Sequence, residues 1–288
     1  MRTILITGGK GQLASCIKDV AKNLVGFNFI YVDYDELDIT NELEVINFFN
    51  KTKIDYCVNC AAYTAVDKAE YDQTLAKSVN EIGAKNLAEA CKKSNAILIQ
   101  ISTDFVFDGT KSSPYLESDK TNPISVYGLT KLHGEHAVTS TLQTYFVLRT
   151  SWLYSEHGNN FLKTMLRLAK ERDELNIIFD QVGTPTYAGD LAKVIFILIT
   201  TNNASFGTYH YSNEGVAGWY DFSKAIFDIS GLKVKINPIK TEAYKTDAER
   251  PKYSVLDKSK IKNTLELEIP YWRESLKNAL SNLEELNS

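Results

Sequence analysis

The sequence lacks any apolar run that is long enough to cross a membrane. Its longest candidate, Val194–Ile199, is far shorter than the roughly 18 residues that a membrane-spanning helix needs. The N-terminal apolar run is also too short for a signal peptide, and it leads directly into a glycine turn. No basic block is present, and 32 Lys and Arg against 36 Asp and Glu give a net charge of −4. These absences disfavour nucleic acid and membranes as partners, and they indicate a cytoplasmic protein.

Cysteine and histidine are also scarce. Cys57 and Cys60 have the CxxC spacing of redox pairs and zinc sites. They lie in the apolar run Ile54–Ala62, however, and side chains three residues apart on a strand face opposite sides. With no second cysteine pair to complete a zinc site, buried free thiols in a reducing compartment are expected. No metal site is predicted, because no histidine shows ligand spacing supported by nearby carboxylates. The histidines are His133, His136, His157 and His210.

The first half of the chain alternates short β-branched runs with amphipathic segments. Hydrophobic residues make up 44% and charged residues 24%, the balance of an ordinary globular protein. The alternation predicts βαβ units, and therefore an α/β fold with a Rossmann-type doubly wound parallel sheet. The predicted strands are Thr3–Thr7, Phe27–Val32, Ile54–Asn59, Ala96–Ser102 and Tyr145–Thr150.

The pattern loosens after about residue 150. Residues 1–150 are predicted to form a dinucleotide-binding domain, and 151–288 mainly a smaller α/β substrate-binding portion. Within the second part, a helix is predicted at Ala188–Thr200 and a short strand at Thr208–Tyr211. Some of these later segments are expected to return to the first domain. Ligands of such sheets bind beyond the carboxyl ends of the strands, so the site is expected there.

A glycine turn links the first predicted strand to the first helix. Gly8, Gly11 and Ala14 give the pattern Gly-x-x-Gly-x-x-Ala. Gly8 permits the tight turn, and Gly11 lets a pyrophosphate approach the helix N-terminus, where N–H groups and the helix dipole attract anions. The strand–turn–helix context distinguishes this motif from a chance glycine trio. The pattern predicts a dinucleotide cofactor.

An acidic residue after the second strand indicates which dinucleotide binds. Asp33 can bind ribose hydroxyls and repel a 2′-phosphate, which favours NADH over NADPH. Lys10 in the glycine turn can tolerate a phosphate, so both cofactors stay open. Asp38 and Ile39 are candidates for adenine contacts. Small residues after the third strand, in the run Cys60–Thr64, allow a dinucleotide to lie against the backbone.

The candidate catalytic residues form a Tyr-x-x-x-Lys motif on a predicted helix. Tyr127 and Lys131 are four residues apart and therefore share one helix face. A lysine ammonium beside the tyrosine is expected to lower the phenol pKa towards neutral pH. Thr103 follows a strand 24 residues earlier, so Thr103 and Tyr127 can reach one substrate oxygen. Together with the glycine turn, this arrangement predicts a nicotinamide-dependent reductase.

These motifs resemble the extended short-chain dehydrogenase/reductases, and the resemblance covers almost the whole chain. The resemblance is strongest to the members that reduce dTDP-linked sugars. It implies reduction of the C4 ketone of dTDP-4-dehydro-β-L-rhamnose to dTDP-β-L-rhamnose, the last step of dTDP-L-rhamnose synthesis. The motifs that carry it are Gly8–Leu13, Asn59–Glu70, Ser102–Gly109, Arg149–Tyr154, Gly158–Phe161 and Arg250–Ser254.

The resemblance also implies a role for each matching residue. Tyr127 would donate the proton to the C4 oxygen, Lys131 would hold the cofactor ribose, and Thr103 would hydrogen-bond the same oxygen. Asp104 and Trp152 would contact the sugar nucleotide. The residues that would bind the cofactor are Gly8, Gly11, Gln12, Leu13, Asp33, Asp38, Ile39, Ala62, Tyr63, Thr64, Tyr127 and Lys131.

Two assignments from the resemblance carry alternatives. Arg250 is a candidate partner for the substrate diphosphate, because guanidinium groups pair with phosphate, but a solvated loop arginine is the other interpretation. Some family members carry an acidic residue near the position of Cys16 that helps a magnesium ion (Mg²⁺) join two subunits. A thiol is a poor ligand for magnesium, so a metal-bridged dimer is not expected. A monomer and a homodimer both remain open.

Two other functions stay open from the sequence. The first is a nucleotide-sugar epimerase or dehydratase of the same superfamily, which would keep its cofactor tightly bound. The second is a non-catalytic regulatory relative that retains the fold. The presence of Thr103, Tyr127 and Lys131 together argues against the regulatory relative.

Overall fold

The computed structural model describes residues 1–22, 24–201 and 204–287, without the side chain of residue 287. The strands are β1 Arg2–Thr7, β2 Phe27–Val32, β3 Tyr56–Asn59, β4 Ile97–Thr103, β5 Tyr145–Thr150, β6 Leu153–Tyr154, β7 Glu174–Ile178, β8 Val182–Gly183, β9 Thr186–Tyr187, β10 Gly207–His210, β11 Ala217–Gly218 and β12 Lys235–Ile239. The α-helices are α1 Gln12–Ala21, α2 Glu42–Lys51, α3 Val66–Ala69, α4 Gln73–Lys77, α5 Ala84–Ser94, α6 Val126–Thr141, α7 Phe161–Glu171, α8 Ala188–Thr200, α9 Trp219–Ile229, α10 Ser259–Leu265 and α11 Trp272–Asn287. A π-helical stretch covers Ser78–Gly83, and short 3₁₀ turns cover Asp104–Val106 and Thr241–Ala243.

The main sheet has six parallel strands in the order β10-β5-β4-β3-β1-β2. Side chains alternate between the two faces of the sheet along each strand, and helices cover both faces. On β1, Ile4 and Ile6 pack with α1 and α8, whereas Leu5 packs with α2 and α5 on the other face. The predicted α/β fold with a doubly wound parallel sheet is confirmed.

The five predicted strands of the first half are all present, with ends within two residues of those predicted. After residue 150, part of the chain packs on the main sheet and part forms a separate core. Helix α8 has the predicted bounds and packs on α1, while β10 pairs with β5 at one edge of the main sheet. Helices α7, α9 and α11 form a separate core through side chains such as Leu162, Phe222 and Leu276. Among the described helices, none has both the length and the apolar character that a membrane span requires.

Candidate active site

A cavity of about 1030 Å³ lies over the carboxyl edge of the main sheet. Strands β1 and β3 end level there, since Thr7 lies opposite Asn59, and β4 and β5 end level three residues further along, since Thr103 lies opposite Thr150. The sequence-predicted site residues that line it are Gly8, Gly11, Gln12, Leu13, Asp33, Asp38, Ile39, Ala62, Thr64, Thr103, Asp104, Tyr127, Lys131, Trp152 and Arg250. Residues as far apart in sequence as Gly8 and Arg250 therefore meet in one cleft.

Tyr63 is the predicted site residue that does not line the cavity. Its phenol donates to Asp72 (2.9 Å), and its backbone N–H and C=O both bond the side chain of Asn80. Asn80 is buried in the π-helical stretch and also donates to Thr130 on α6 (3.1 Å). Sequence reasoning missed Asn80, because a π-helical turn has no clear periodic signal. The Asn80 side chain fixes the backbone that follows β3 against α6, the helix that carries Tyr127.

The glycine turn leads into α1, whose first N–H groups have no side-chain cap among the described residues. Gly8 has a φ of +63°, and a Cβ there would lie 2.8 Å from the backbone of Ala61. Gly11 is the N-cap of α1, and no described side chain caps this helix N-terminus. The first turn of α1 also has no acidic residue. Free N–H groups and the positive end of the helix dipole make this turn suitable for an anionic group.

The acidic residues of the cavity wall are held by the backbone. Asp33 accepts from the N–H groups of Lys10 and Tyr34, each at 2.9 Å. Its carboxylate therefore fixes the glycine turn as well as lining the cavity. The Lys10 ammonium pairs with Asp35 at 2.8 Å, so it is directed to a neighbouring acid. Asp38 accepts from both the N–H and the hydroxyl of Thr40.

Tyr127 lies in the first turn of α6, against the end of β4. Ser125 caps this helix by accepting from the Gly128 N–H (3.2 Å), and Phe105 packs edge-on against the Tyr127 ring. Burial raises the pKa of Tyr127 to about 12, although the Thr103 hydroxyl, which hydrogen-bonds the phenol, opposes this change. The expectation that Lys131 lowers this pKa is wrong for this structure. A phenol with a raised pKa stays protonated at neutral pH, which is the state of a proton donor.

Lys131 is buried one helical turn after Tyr127, and its ammonium has another partner. Its Nζ donates to the backbone carbonyl of Ile101 at 2.6 Å. Burial lowers the pKa of Lys131 to about 8, and the carboxylate of Glu135 opposes this change. The ammonium thus lies against β4 at the cavity wall, and among the described residues no hydrogen bond joins it to the Tyr127 phenol.

A buried ion pair between Glu135 and Arg149 fixes the helix that carries Tyr127 and Lys131. Glu135, on the same helix, accepts from Ser102 (2.5 Å) and from the Arg149 guanidinium in a bidentate arrangement (2.7–3.1 Å). Ser102 directly precedes Thr103, and Arg149 directly precedes Thr150 at the end of β5. The pair therefore joins α6 to the ends of two strands. Sequence reasoning did not identify Glu135.

Two tryptophans form an aromatic wall of the cavity. Trp152 has a left-handed backbone conformation (φ +46°), which is rare for a bulky residue. Its indole stacks on Trp219 with ring centroids 3.6 Å apart and planes 7° apart. The Trp219 Nε1–H donates to Gln181 (3.1 Å), and a Cβ on Gly183 would collide with the Trp152 indole. Trp219 begins α9 and was not predicted as a site residue.

Arg250 reaches the cavity rim, but its guanidinium is already paired. It donates to both oxygens of Asp67, at 3.0 and 2.7 Å, and to the backbone carbonyl of Ala248. This pair holds the pKa of the Asp67 carboxyl below its usual value. Arg250 is therefore neither a free diphosphate partner nor a solvated loop residue. A ligand that binds the Arg250 guanidinium must share it with Asp67.

Two of the histidines pair with carboxylates that are distant in sequence. His157 lies 2.6 Å from Asp19, and His133 lies 3.0 Å from Glu81. His210 is buried, and burial lowers its pKa to about 3, which keeps it neutral.

Comparison with known proteins gives one consistent family. The family model described as the RmlD substrate binding domain matches residues 1–285. A dTDP-4-dehydrorhamnose reductase of Aggregatibacter actinomycetemcomitans is 41% identical over 288 residues, covering 96% of this chain and 98% of the relative. The crystal structure of a dTDP-4-dehydrorhamnose reductase from Clostridium acetobutylicum matches with a TM-score of 0.93 and 45% identity, covering 98% of this chain and 99% of the other.

A second solved structure carries a nicotinamide cofactor. The dTDP-4-dehydrorhamnose reductase of Bacillus anthracis, in complex with NADP, matches with a TM-score of 0.94 and 39% identity, covering 98% of this chain and 100% of the other. The resemblance seen in the sequence is confirmed, and this chain belongs to the dTDP-4-dehydrorhamnose reductase family.

Proposed function

We propose that this protein is a reductase that converts the C4 ketone of dTDP-4-dehydro-β-L-rhamnose into dTDP-β-L-rhamnose with NADH or NADPH. The observation that carries the proposal is that Tyr127 and Thr103, which both carry a hydroxyl, line the same cavity beside Lys131. Carbonyl reduction needs a positioned proton donor and a donor to the developing alkoxide, and these two groups supply both.

The residues of the glycine turn fit a dinucleotide. The uncapped N-terminus of α1 suits its diphosphate, and Gly8 and Gly11 leave the backbone open on that side. Asp33, Asp38 and Ile39 line the part of the cavity where the adenosine would lie, and Ala62 and Thr64 follow β3. The nicotinamide cofactor supplies the hydride when bound.

The chain's own residues then handle the proton and the substrate oxygen. Tyr127, whose raised pKa keeps it protonated, would give its proton to the C4 oxygen as the alkoxide forms. Thr103 would hydrogen-bond the same oxygen, and Lys131 would hold the cofactor ribose. Asp104 is 2% exposed, and its Oδ2 has no hydrogen-bond partner among the described residues, so it is available to a sugar hydroxyl.

The two parts of the chain would divide the ligands between them. Residues 1–150, with α8 and β10 added, would hold the cofactor, and the remainder of 151–288 would hold the sugar nucleotide. Trp152 and Trp219 give the second part an apolar wall, and Arg250 gives it a positive charge at the rim.

We also propose a cytoplasmic location, since the four cysteines are unpaired thiols, which suits a reducing compartment. The partner in this proposal is the dTDP-linked 4-keto-6-deoxy sugar, with no nucleic acid or membrane. The chain would act as a monomer or a homodimer.

The substrate assignment can be tested with enzymatically prepared dTDP-4-keto-6-deoxy sugar. Oxidation of NADH and of NADPH is followed with the preceding 3,5-epimerase present and then absent. We expect oxidation only when the epimerase is present. Equal oxidation without the epimerase would show that the substrate is a different sugar.

The role of Tyr127 can be tested with the substitution Tyr127→Phe. Loss of the proton donor should lower kcat by about 10²–10⁴-fold, while the Kd for NADH changes less than about threefold. Steady-state kinetics and cofactor fluorescence titration measure the two effects. Tyr63→Phe is the matched control, because that phenol lies outside the cavity and should leave kcat unchanged. Turnover of Tyr127→Phe near that of the wild type would exclude the mechanism.

A further inference from the structure

A second group of potential ligands lies where α1 packs against the loop after β6, outside the cavity. Cys16 projects from α1, and Glu156 and His157 project from the loop. Their ligand atoms, one from each side chain, all lie within 4.8 Å of one another. None of the three lines the cavity described above.

Glu156 is a buried carboxylate without a counter-charge. It is only 6% exposed, and no lysine or arginine among the described residues forms an ion pair with it. Its Oε1 accepts from the Tyr187 hydroxyl (2.9 Å) and from Asn282 (3.3 Å). Its Oε2 is buried and has no hydrogen-bond partner among the described residues. Buried carboxylates are normally paired or bound to a cation, so this oxygen indicates a missing partner.

The carboxylate of Asp19 orients His157, and burial in the core fixes Cys16. The Nε2 of His157 lies 2.6 Å from Asp19, which leaves Nδ1 as the ring nitrogen for another contact. A carboxylate behind a histidine is the usual support of a metal-bound imidazole. Cys16 is 2% exposed and belongs to the buried core in which α1 packs on α8.

We propose that Cys16, Glu156 and His157 hold one zinc-type divalent cation within a single chain. A sulfur, a nitrogen and an oxygen ligand form a set that zinc accepts, with bonds of about 2.0–2.3 Å, whereas magnesium requires oxygen ligands. The three ligand atoms, which lie within 4.8 Å of one another, would move closer together around a shared cation. The buried ligands all come from one chain, which separates this site from a magnesium ion shared between subunits.

The cation would connect α1 to one wall of the cavity. Gln12, at the start of α1, accepts from Ser155 (3.4 Å) and Asn160 (3.3 Å) of the same loop, and both Gln12 and Asn160 line the cavity. The predicted effect of the cation is therefore on stability and on the rigidity of this wall, and the proton and hydride transfer do not depend on it.

The test is cobalt binding to the metal-free full-length protein. We expect one equivalent of Co²⁺ to bind and to produce the thiolate-to-cobalt charge-transfer band, together with the visible bands of a four-coordinate site. Zn²⁺ should displace the cobalt and raise the melting temperature, whereas a large excess of Mg²⁺ should not displace it. Cys16→Ser should abolish the charge-transfer band, and Glu156→Gln should weaken cobalt binding at least tenfold.

Cys91→Ser is the matched control, because Cys91 is a buried thiol in another core and should leave the band intact. Melting of the metal-free variants shows whether each one is folded. No stoichiometric binding, a band that survives Cys16→Ser, or displacement by Mg²⁺ would each overturn the proposal. None of these readouts uses reductase activity, so the site and the proposed function can fail independently.

Discussion

Asp33 combines two roles at the scale of a single residue. Its carboxylate holds the N–H groups of Lys10 and Tyr34, and it also lines the cavity where a 2′-phosphate would lie. The same charge shapes the glycine turn and, if the cofactor binds as proposed, would oppose the 2′-phosphate of NADPH.

The substitution Asp33→Asn should shift cofactor preference towards NADPH. Removing the negative charge should raise the ratio of kcat/KM for NADPH to that for NADH about tenfold, about 1.4 kcal/mol. The amide keeps only one acceptor oxygen, so some loss of stability is also expected. Glu36→Gln removes the same charge from a residue that does not line the cavity, and it should leave the ratio unchanged. An unchanged ratio in Asp33→Asn would show that Asp33 does not distinguish a ribose 2′-hydroxyl from a 2′-phosphate.

Asp104 should make the stability of the protein depend on pH. Burial raises its pKa from 3.8 to about 6, so folding disfavours the ionised form. Below pH 4 both states hold the proton. Between about pH 4 and 6 the unfolded state releases it first, so stability falls as pH rises, by at most about 3 kcal/mol.

In the Asp104→Asn variant, this fall in stability with rising pH should be absent. Its free energy of unfolding, measured in urea at pH 4 to 7, should rise relative to that of the wild type as pH increases. Asp108→Asn is the contrasting variant, because hydrogen bonds from Thr110 lower the pKa of Asp108 to about 2. Its difference from the wild type should stay constant from pH 4.5 to 7. Parallel curves for wild type and Asp104→Asn would contradict the assignment.

At the scale of elements, the sequence predicts regular structure better than irregular structure. The strands of the first half were predictable because each is a short β-branched run bounded by turn residues. Helix α8 was predictable from its long apolar pattern. The π-helical stretch Ser78–Gly83 and the left-handed Trp152 could not be predicted, since tertiary contacts decide both.

Helix α9 contributes to the site through its first residue. The unusual backbone of Trp152 costs on the order of 1–3 kcal/mol, and surrounding contacts must offset that cost. The stack on Trp219 and the missing side chain of Gly183 supply such contacts. Trp219 is therefore a positioning residue for Trp152, and under the proposed function it would act through Trp152 on the sugar nucleotide.

Trp219→Leu should raise KM for the sugar nucleotide about tenfold, while kcat and the Kd for NADH change less. Loss of the exciton signal of stacked indoles in circular dichroism would report loss of the pair itself. Trp272→Phe is the control, because Trp272 packs on Phe222 away from the cavity, and it should keep both the signal and the KM. Loss of the signal with an unchanged KM would mean that the stack serves stability alone.

At the scale of the whole molecule, one late segment joins the two parts of the chain. Tyr253 forms a bridge with Val182 of the second part, and Leu256 forms one with Tyr115 of the first. Arg250 belongs to the same segment and pairs with Asp67, 183 positions away in the sequence. The family resemblance made Arg250 a candidate diphosphate partner, with a solvated loop arginine as the alternative. Nothing in the sequence identified Asp67 as its ion-pair partner, because single bridges and distant ion pairs leave no periodic pattern.

The Arg250–Asp67 pair should act as one unit in binding the sugar nucleotide. Arg250→Lys loses the bidentate geometry, and Asp67→Asn leaves the guanidinium without its orienting charge, so each should raise KM about tenfold with a smaller change in kcat. The double variant should be no worse than Arg250→Lys, since coupled residues are not additive. Asp72→Asn is the control, because its carboxylate accepts from Tyr63 instead of Arg250, and its KM should match that of the wild type. Additive effects on KM in steady-state kinetics would show that the two residues bind the substrate independently, in which case the pair is only a structural link across the cavity rim.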